Sequence, residues 1–171
     1  MAGYGLDKKY HLSSVLERNL KNKGLKVKVI NASVSGDTSA GGLNRIDWTI
    51  SEKNIDIILI GLGANDMLRG ISPDETEKNL EEIIKKILSK KIQIIIAGMI
   101  APNSHGKDYK IKFDKIFRKL SKKYELNLIP FLLDGIALNP DLNLDDGMHP
   151  NEKGVEIISK NIEKKLIKIF N

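Results

Sequence analysis

Near its C-terminal end the chain reads "DDGMHPNEKG", residues 145–154. Asp146 stands three positions before His149, and Gly147 and Pro150 shape a tight turn just ahead of a helix. A carboxylate at this spacing can reach the imidazole Nδ1–H. It would fix the ring's tautomer and stabilise the imidazolium formed when the ring takes a proton. That is the base half of a nucleophilic triad. The same residues also suit a surface loop that caps the next helix, so the pair alone leaves both readings open.

Two further positions bear on charge stabilisation. Asn65, in "GLGAND", directly follows a buried apolar run, where an amide could donate to a developing oxyanion. It could equally close the strand as an Asx-turn. Gly36, in "SVSGDTSAGG", would let the backbone approach a ligand and aim its N–H at it, or serve as an ordinary turn glycine. "SGDTSAGG" lacks the Gly-Lys-Ser/Thr ending of a phosphate loop and does not match the dinucleotide fingerprint. Asp145, Asp146 and His149 could cluster around a metal, but His11 and His105 lie in other contexts, and no metal or other cofactor is expected.

These residues need elements to hold them. "HLSSVLERNLKNKG" puts Leu12, Val15, Leu16 and Leu20 on one helical face, with Gly24 as a C-terminal stop. "LKVKVINA", residues 25–32, alternates like a strand. A helix is expected over 41–54 with Leu43, Ile46 and Ile50 inward, and a buried strand over 55–63. Residues 72–91 read as a helix with Ser72 as N-cap and Pro73 at its first position. A buried strand over 92–100, a helix over 108–124, a short strand over 126–132 and a last helix from about Asn151 complete the chain. Alternating strands and helices predict an α/β fold, a three-layer α/β/α sandwich on a parallel sheet, in one domain spanning 1–171. In such sheets ligands bind beyond the carboxyl ends of the strands, which is where the polar clusters fall.

Composition narrows the function classes. The chain has 171 residues and no cysteine, which excludes disulfides, thiolate metal sites and a cysteine nucleophile. No apolar run approaches the roughly 20 residues of a membrane-spanning helix, so no integral membrane segment is expected. The net charge is +6, but acids are interspersed among the lysines. Aromatic residues make up only 5%, too few for base-stacking platforms, so nucleic acid is not expected as a partner.

Taken together, "INASVSGDTSAGGLNRI", "GLGANDMLRG" and "DDGMHPNEKG" resemble blocks II, III and V of the SGNH (GDSL-type) hydrolases, in the branch of bacterial arylesterases, thioesterase I and lysophospholipase L1. The resemblance runs over nearly the whole chain in the same order. It implies the flavodoxin-like SGNH fold. It implies hydrolysis of small carboxylic esters or thioesters by a Ser-His-Asp acyl-enzyme mechanism, with Asp146 and His149 as the catalytic pair and Gly36 and Asn65 as oxyanion donors.

The family's first block is an apolar strand followed by Gly-Asp-Ser-Leu and, a little further on, Ala-Gly-Tyr. This chain opens "MAGYGL", so Ala2, Gly3 and Tyr4 resemble the residues that come after the nucleophile in that block. The expectation is a chain beginning just after its own first strand and serine. Ser39 or Thr38, in "GDTS", is the alternative nucleophile within the chain, and a non-catalytic acyl- or glycan-binding relic is the alternative function. Location depends on the segment ahead of Met1: periplasmic or secreted with a signal peptide, otherwise cytoplasmic. Oligomeric state is left open.

Overall fold

The structure is a computed structural model and describes residues 2–52 and 54–170. Met1, Lys53, which falls in the helix expected over 41–54, and Asn171 lie outside the described residues. The elements run α1 (Leu12–Asn22), α2 (Ser39–Thr49), β1 (Ile57–Ile60), α3 (Ala64–Leu68) and α4 (Pro73–Ser89). β2 (Gln93–Ala97), α5 (Lys107–Lys123), β3 (Asn127–Ile129) and α6 (Glu152–Phe170) complete the order. Contacts divide the chain into two compact units. One comprises the stretch up to Ser35 together with Leu132 onward; the other runs Gly36–Phe131.

The Gly36–Phe131 unit holds the sheet. Its three strands pair in the order β1-β2-β3, all parallel, with Ile58 opposite Ile94 and Ile96 opposite Leu128. Parallel strands need crossovers, and α4 and α5 supply them. Ile94 and Ile96 face a core shared with Leu80, Ile83, Ile84 and Ile87 of α4 and Phe113, Ile116, Phe117 and Leu120 of α5. Ile95 and Ala97 point to the opposite face and are also fully buried, so the apolar run reads as a strand covered on both sides. Each such isoleucine contributes roughly 1.5–3 kcal/mol by leaving water.

The other unit pairs α1 with α6. Leu12, Val15, Leu16 and Leu20 of α1 and Val155, Ile158, Ile162 and Leu166 of α6 are buried. Polar bonds fix the register between them: Arg18 pairs with Glu156, Lys23 with Glu163, and Asn19 Nδ2 donates to Ser159 Oγ at 3.1 Å. Gly24, at φ +83°, ends α1 as expected.

One local expectation is corrected, and two elements carry details the sequence does not show. Residues 25–32 form no strand; among the described residues they pair with no ladder. Alternation of apolar residues gives a segment strand propensity, but only a paired neighbour makes it a strand. Here Val29 N–H instead donates to Glu17 Oε2 at 2.7 Å. Ser72 occupies the N-cap of α4 without a side-chain cap bond, its carbonyl accepting from Thr76 Oγ1 at 3.2 Å. Helix α3 interrupts a stretch with no helical pattern in the sequence. Its five residues are too few to show a period, and its start depends on Gly63, whose φ of +104° turns the chain out of β1.

Candidate functional site

The Asp-His turn is built from the loop ahead of α6. Asn143 and Pro150 form an antiparallel bridge, and Leu144 N–H donates to the His149 carbonyl at 2.7 Å. Gly147, at φ +68°, turns the chain between them and donates to the Leu144 carbonyl at 2.9 Å. Two asparagines anchor this loop. Buried Asn143 donates Nδ2 to the carbonyls of Ile136 (2.9 Å) and Asn139 (2.7 Å). Asn151 donates Nδ2 to the Asp141 carbonyl at 3.0 Å, and its Oδ1 accepts from Gly154 N–H at 3.1 Å, capping α6.

Inside that turn Asp146 uses both carboxylate oxygens. Oδ1 accepts the backbone N–H groups of Met148 and His149, each at 2.9 Å. Oδ2 lies 2.7 Å from His149 Nδ1. One oxygen therefore closes the turn and the other faces the imidazole. The His149 backbone N–H, then the ring of the same residue, then Met148 N–H hold the Asp146 carboxyl at about 2, below its ordinary 3.8. With Nδ1 facing a carboxylate, the tautomer that carries its proton there leaves Nε2 as an acceptor, the form a general base needs. No described residue hydrogen-bonds Nε2. The Tyr4 ring packs on the imidazole, centroids 4.5 Å apart and planes 33° apart. The segment carrying Tyr4 is held by Leu6 N–H donating to the Gly3 carbonyl at 3.1 Å and by His11 Nε2, 3.1 Å from the Leu6 carbonyl.

Gly36 and Asn65 lie in the other unit and are tied to one another through their neighbours. Asn65 does not close a local Asx-turn. Its Nδ2 donates to the Asp37 carbonyl at 2.8 Å, 28 residues away. An amide nitrogen carries two hydrogens, so this bond fixes the plane and leaves the second N–H for another acceptor. Arg69, just past α3, donates Nη2 to the Gly36 carbonyl at 2.8 Å. Gly36 sits at φ +74°, where a side chain strains the backbone although an added Cβ would meet only Arg69 Nη2, at 3.6 Å. Its N–H bonds to no described residue.

Beneath this loop lies a network that sequence reading missed. Asp66, fully buried, accepts from Ser39 N–H at 2.8 Å, from Ser39 Oγ at 2.5 Å and from Thr76 Oγ1 at 3.3 Å. Asn79 Nδ2 donates to Ser39 Oγ at 3.1 Å. Ser39 is thus inaccessible and already committed, which overturns it as an alternative nucleophile. Thr38 is the N-cap of α2, its Oγ1 accepting from Gly41 N–H at 3.2 Å. Asp37 completes the loop by accepting from Arg45 Nε at 2.7 Å. Among the described residues no group of three or more His, Asp or Glu side chains is placed to hold a metal ion.

Residues 1–157 match the GDSL-like lipase/acylhydrolase family. An arylesterase of Vibrio mimicus is 34% identical over 167 residues, covering 98% of this chain and 84% of that protein. Thioesterase 1/protease 1/lysophospholipase L1 of Escherichia coli K12 is 34% identical over 146 residues, covering 85% of this chain and 70% of that protein. A crystal structure of TesA superposes with a TM-score of 0.92 at 30% identity, covering 98% of this chain and 93% of that one. Esterase EstA from Pseudoalteromonas, solved inhibited by monoethylphosphonate, gives a TM-score of 0.93 at 30% identity, covering 99% and 93% of the two chains. The chain has the α/β fold of the SGNH hydrolases and belongs to the GDSL-like lipase/acylhydrolase family of ester-cleaving enzymes.

Proposed function

We propose that the chain is the body of a serine esterase that cleaves small carboxylic esters or thioesters through an acyl-enzyme, and that its two compact units act as one catalytic domain. His149 Nε2 takes the proton of an attacking serine hydroxyl and returns it to the leaving group. Asp146 orients the ring and offsets the imidazolium charge. Gly36 N–H and the second N–H of the Asn65 amide receive the oxyanion, each donor lost costing about 100- to 1,000-fold in rate. The resemblance to the family's first block implies that the serine comes from a Gly-Asp-Ser segment ahead of Met1. No metal or other cofactor takes part in this scheme.

One observation carries the reading: the Asp146 carboxylate 2.7 Å from His149 Nδ1, in a turn whose backbone bonds set that distance. A second comes from the relatives, two of which are named as an arylesterase and as a thioesterase and lysophospholipase.

The test is p-nitrophenyl butyrate hydrolysis by the protein carrying the residues encoded in frame ahead of Met1. Turnover is expected, and His149→Ala should lower kcat by about 1,000-fold or more with little change in KM. Undiminished turnover in that variant would remove His149 from the mechanism. Ester binding without turnover in the unsubstituted protein would favour the binding relic.

A further inference from the structure

The chain's excess of six positive charges is not evenly distributed. Helix α5 alone holds eight Lys and Arg side chains against two carboxylates, Asp108 and Asp114, an excess equal to that of the entire chain. Its inner side is Phe113, Ile116, Phe117 and Leu120, all buried. Three of its cations are neutralised: Lys110 by Asp114, and Lys119 and Lys123 by Glu77 and Glu81 of α4. Lys112, Lys115, Arg118 and Lys122 are exposed, recur every three or four residues along the outer side, and pair with no described acid. Asp108, in the first turn, is the one carboxylate α5 puts on that side. Ile111, 42% exposed, shares the stripe.

We propose that the outer face of α5 docks the protein on an anionic phospholipid bilayer. The inference does not depend on the proposed reaction. A row of cations about 15 Å long on one side of a helix matches a plane of phosphates, not a single anion. An exposed isoleucine among the cations suits the boundary between headgroups and acyl chains. None of the aromatic residues of α5 is exposed, so the face has nothing on which nucleic-acid bases would stack. No helix among the described residues is long and apolar enough to cross a membrane, so the contact is one of surface charge. Four lysines of α6, Lys153, Lys160, Lys164 and Lys168, are also exposed and supply an internal control of equal charge.

The test is co-sedimentation of the chain with vesicles of phosphatidylcholine alone or mixed with phosphatidylglycerol, and with duplex DNA as competitor. Binding is expected to be at least about tenfold tighter to the phosphatidylglycerol vesicles and to fade as salt rises to about 0.5 M. K112Q/K115Q/R118Q/K122Q should lose at least about tenfold of that affinity, and K153Q/K160Q/K164Q/K168Q less than about threefold. Every substituted side chain is solvent-exposed, and circular dichroism checks that both variants keep the helix content of the parent. Equal losses in the two variants would assign the binding to bulk charge and overturn the proposal. So would equal binding to both vesicle types, or displacement from phosphatidylglycerol vesicles by an equivalent amount of DNA phosphate.

Discussion

Asp146 shows how one short side chain serves two roles. Oδ1 closes the turn by accepting two backbone N–H groups, and Oδ2 is left for the imidazole. Three hydrogen bonds to the charged form draw its pKa down to about 2. A lowered carboxylate pKa contributes stability fully above the unfolded value near 3.8, and that contribution is lost as pH falls towards 2. The carboxylate is therefore charged throughout the neutral pH range. The side-chain carboxyl carbon of Asp146 should titrate near pH 2 by NMR, and a midpoint near 4 would contradict the hydrogen-bonded turn. Asp146→Asn keeps an oxygen for the turn but puts an amide N–H toward Nδ1. That selects the tautomer whose Nε2 carries the proton and so cannot act as a base. In the serine-extended enzyme it should lower kcat by about 100- to 10,000-fold while KM holds, checked by steady-state kinetics.

At the scale of elements, the loop that carries Gly36 depends on helices that the loop itself helps to hold. Asp66 of α3 receives the N-terminus of α2 through Ser39 and the first turn of α4 through Thr76, so one buried carboxylate ties three elements. Asp66→Ala leaves the Ser39 N–H and hydroxyl without their acceptor in the core, a loss of about 2–4 kcal/mol, or roughly 5–15 °C in Tm for a chain of this length. Thermal denaturation of the variant measures it, and a change under about 2 °C would mean that water reaches the network. This network also marks where the sequence stops being legible. Asp146 and His149 could be read because both partners lie within one turn. Asn65 could be read as the end of a buried strand, but not as bonded to the Asp37 carbonyl 28 residues away. The bonded pairs among Ser39, Asp66, Thr76 and Asn79 are 10 to 40 residues apart, and nothing in that spacing announces a contact. The strands divide in the same way. "IQIIIAGMI" is apolar enough to be a strand in any buried setting, whereas "LKVKVINA" is a strand only if something pairs with it.

At the scale of the whole molecule, the candidate site residues divide evenly: Asp146 and His149 belong to one compact unit, Gly36 and Asn65 to the other. The proposed reaction needs all four around one carbonyl carbon, within hydrogen-bond reach of the groups they serve. Two units that opened independently would lose that geometry in each opening event, so the catalytic reading demands that they unfold together. Leu20 of α1 is 1% exposed, in the unit without the sheet, and Ile95 of β2 is fully buried in the other. Leu20→Ala should cost about 2–5 kcal/mol by leaving a cavity. If the chain is one domain, calorimetry shows a single transition that moves down as a whole, and the Ile95 amide loses hydrogen-exchange protection by the same amount as the amides of α1. If the units are independent, two transitions appear, only one of them shifts, and Ile95 keeps its protection. The second result would leave the Asp146–His149 turn intact but deprive it of a fixed oxyanion partner, and the single-domain esterase reading would fail with it.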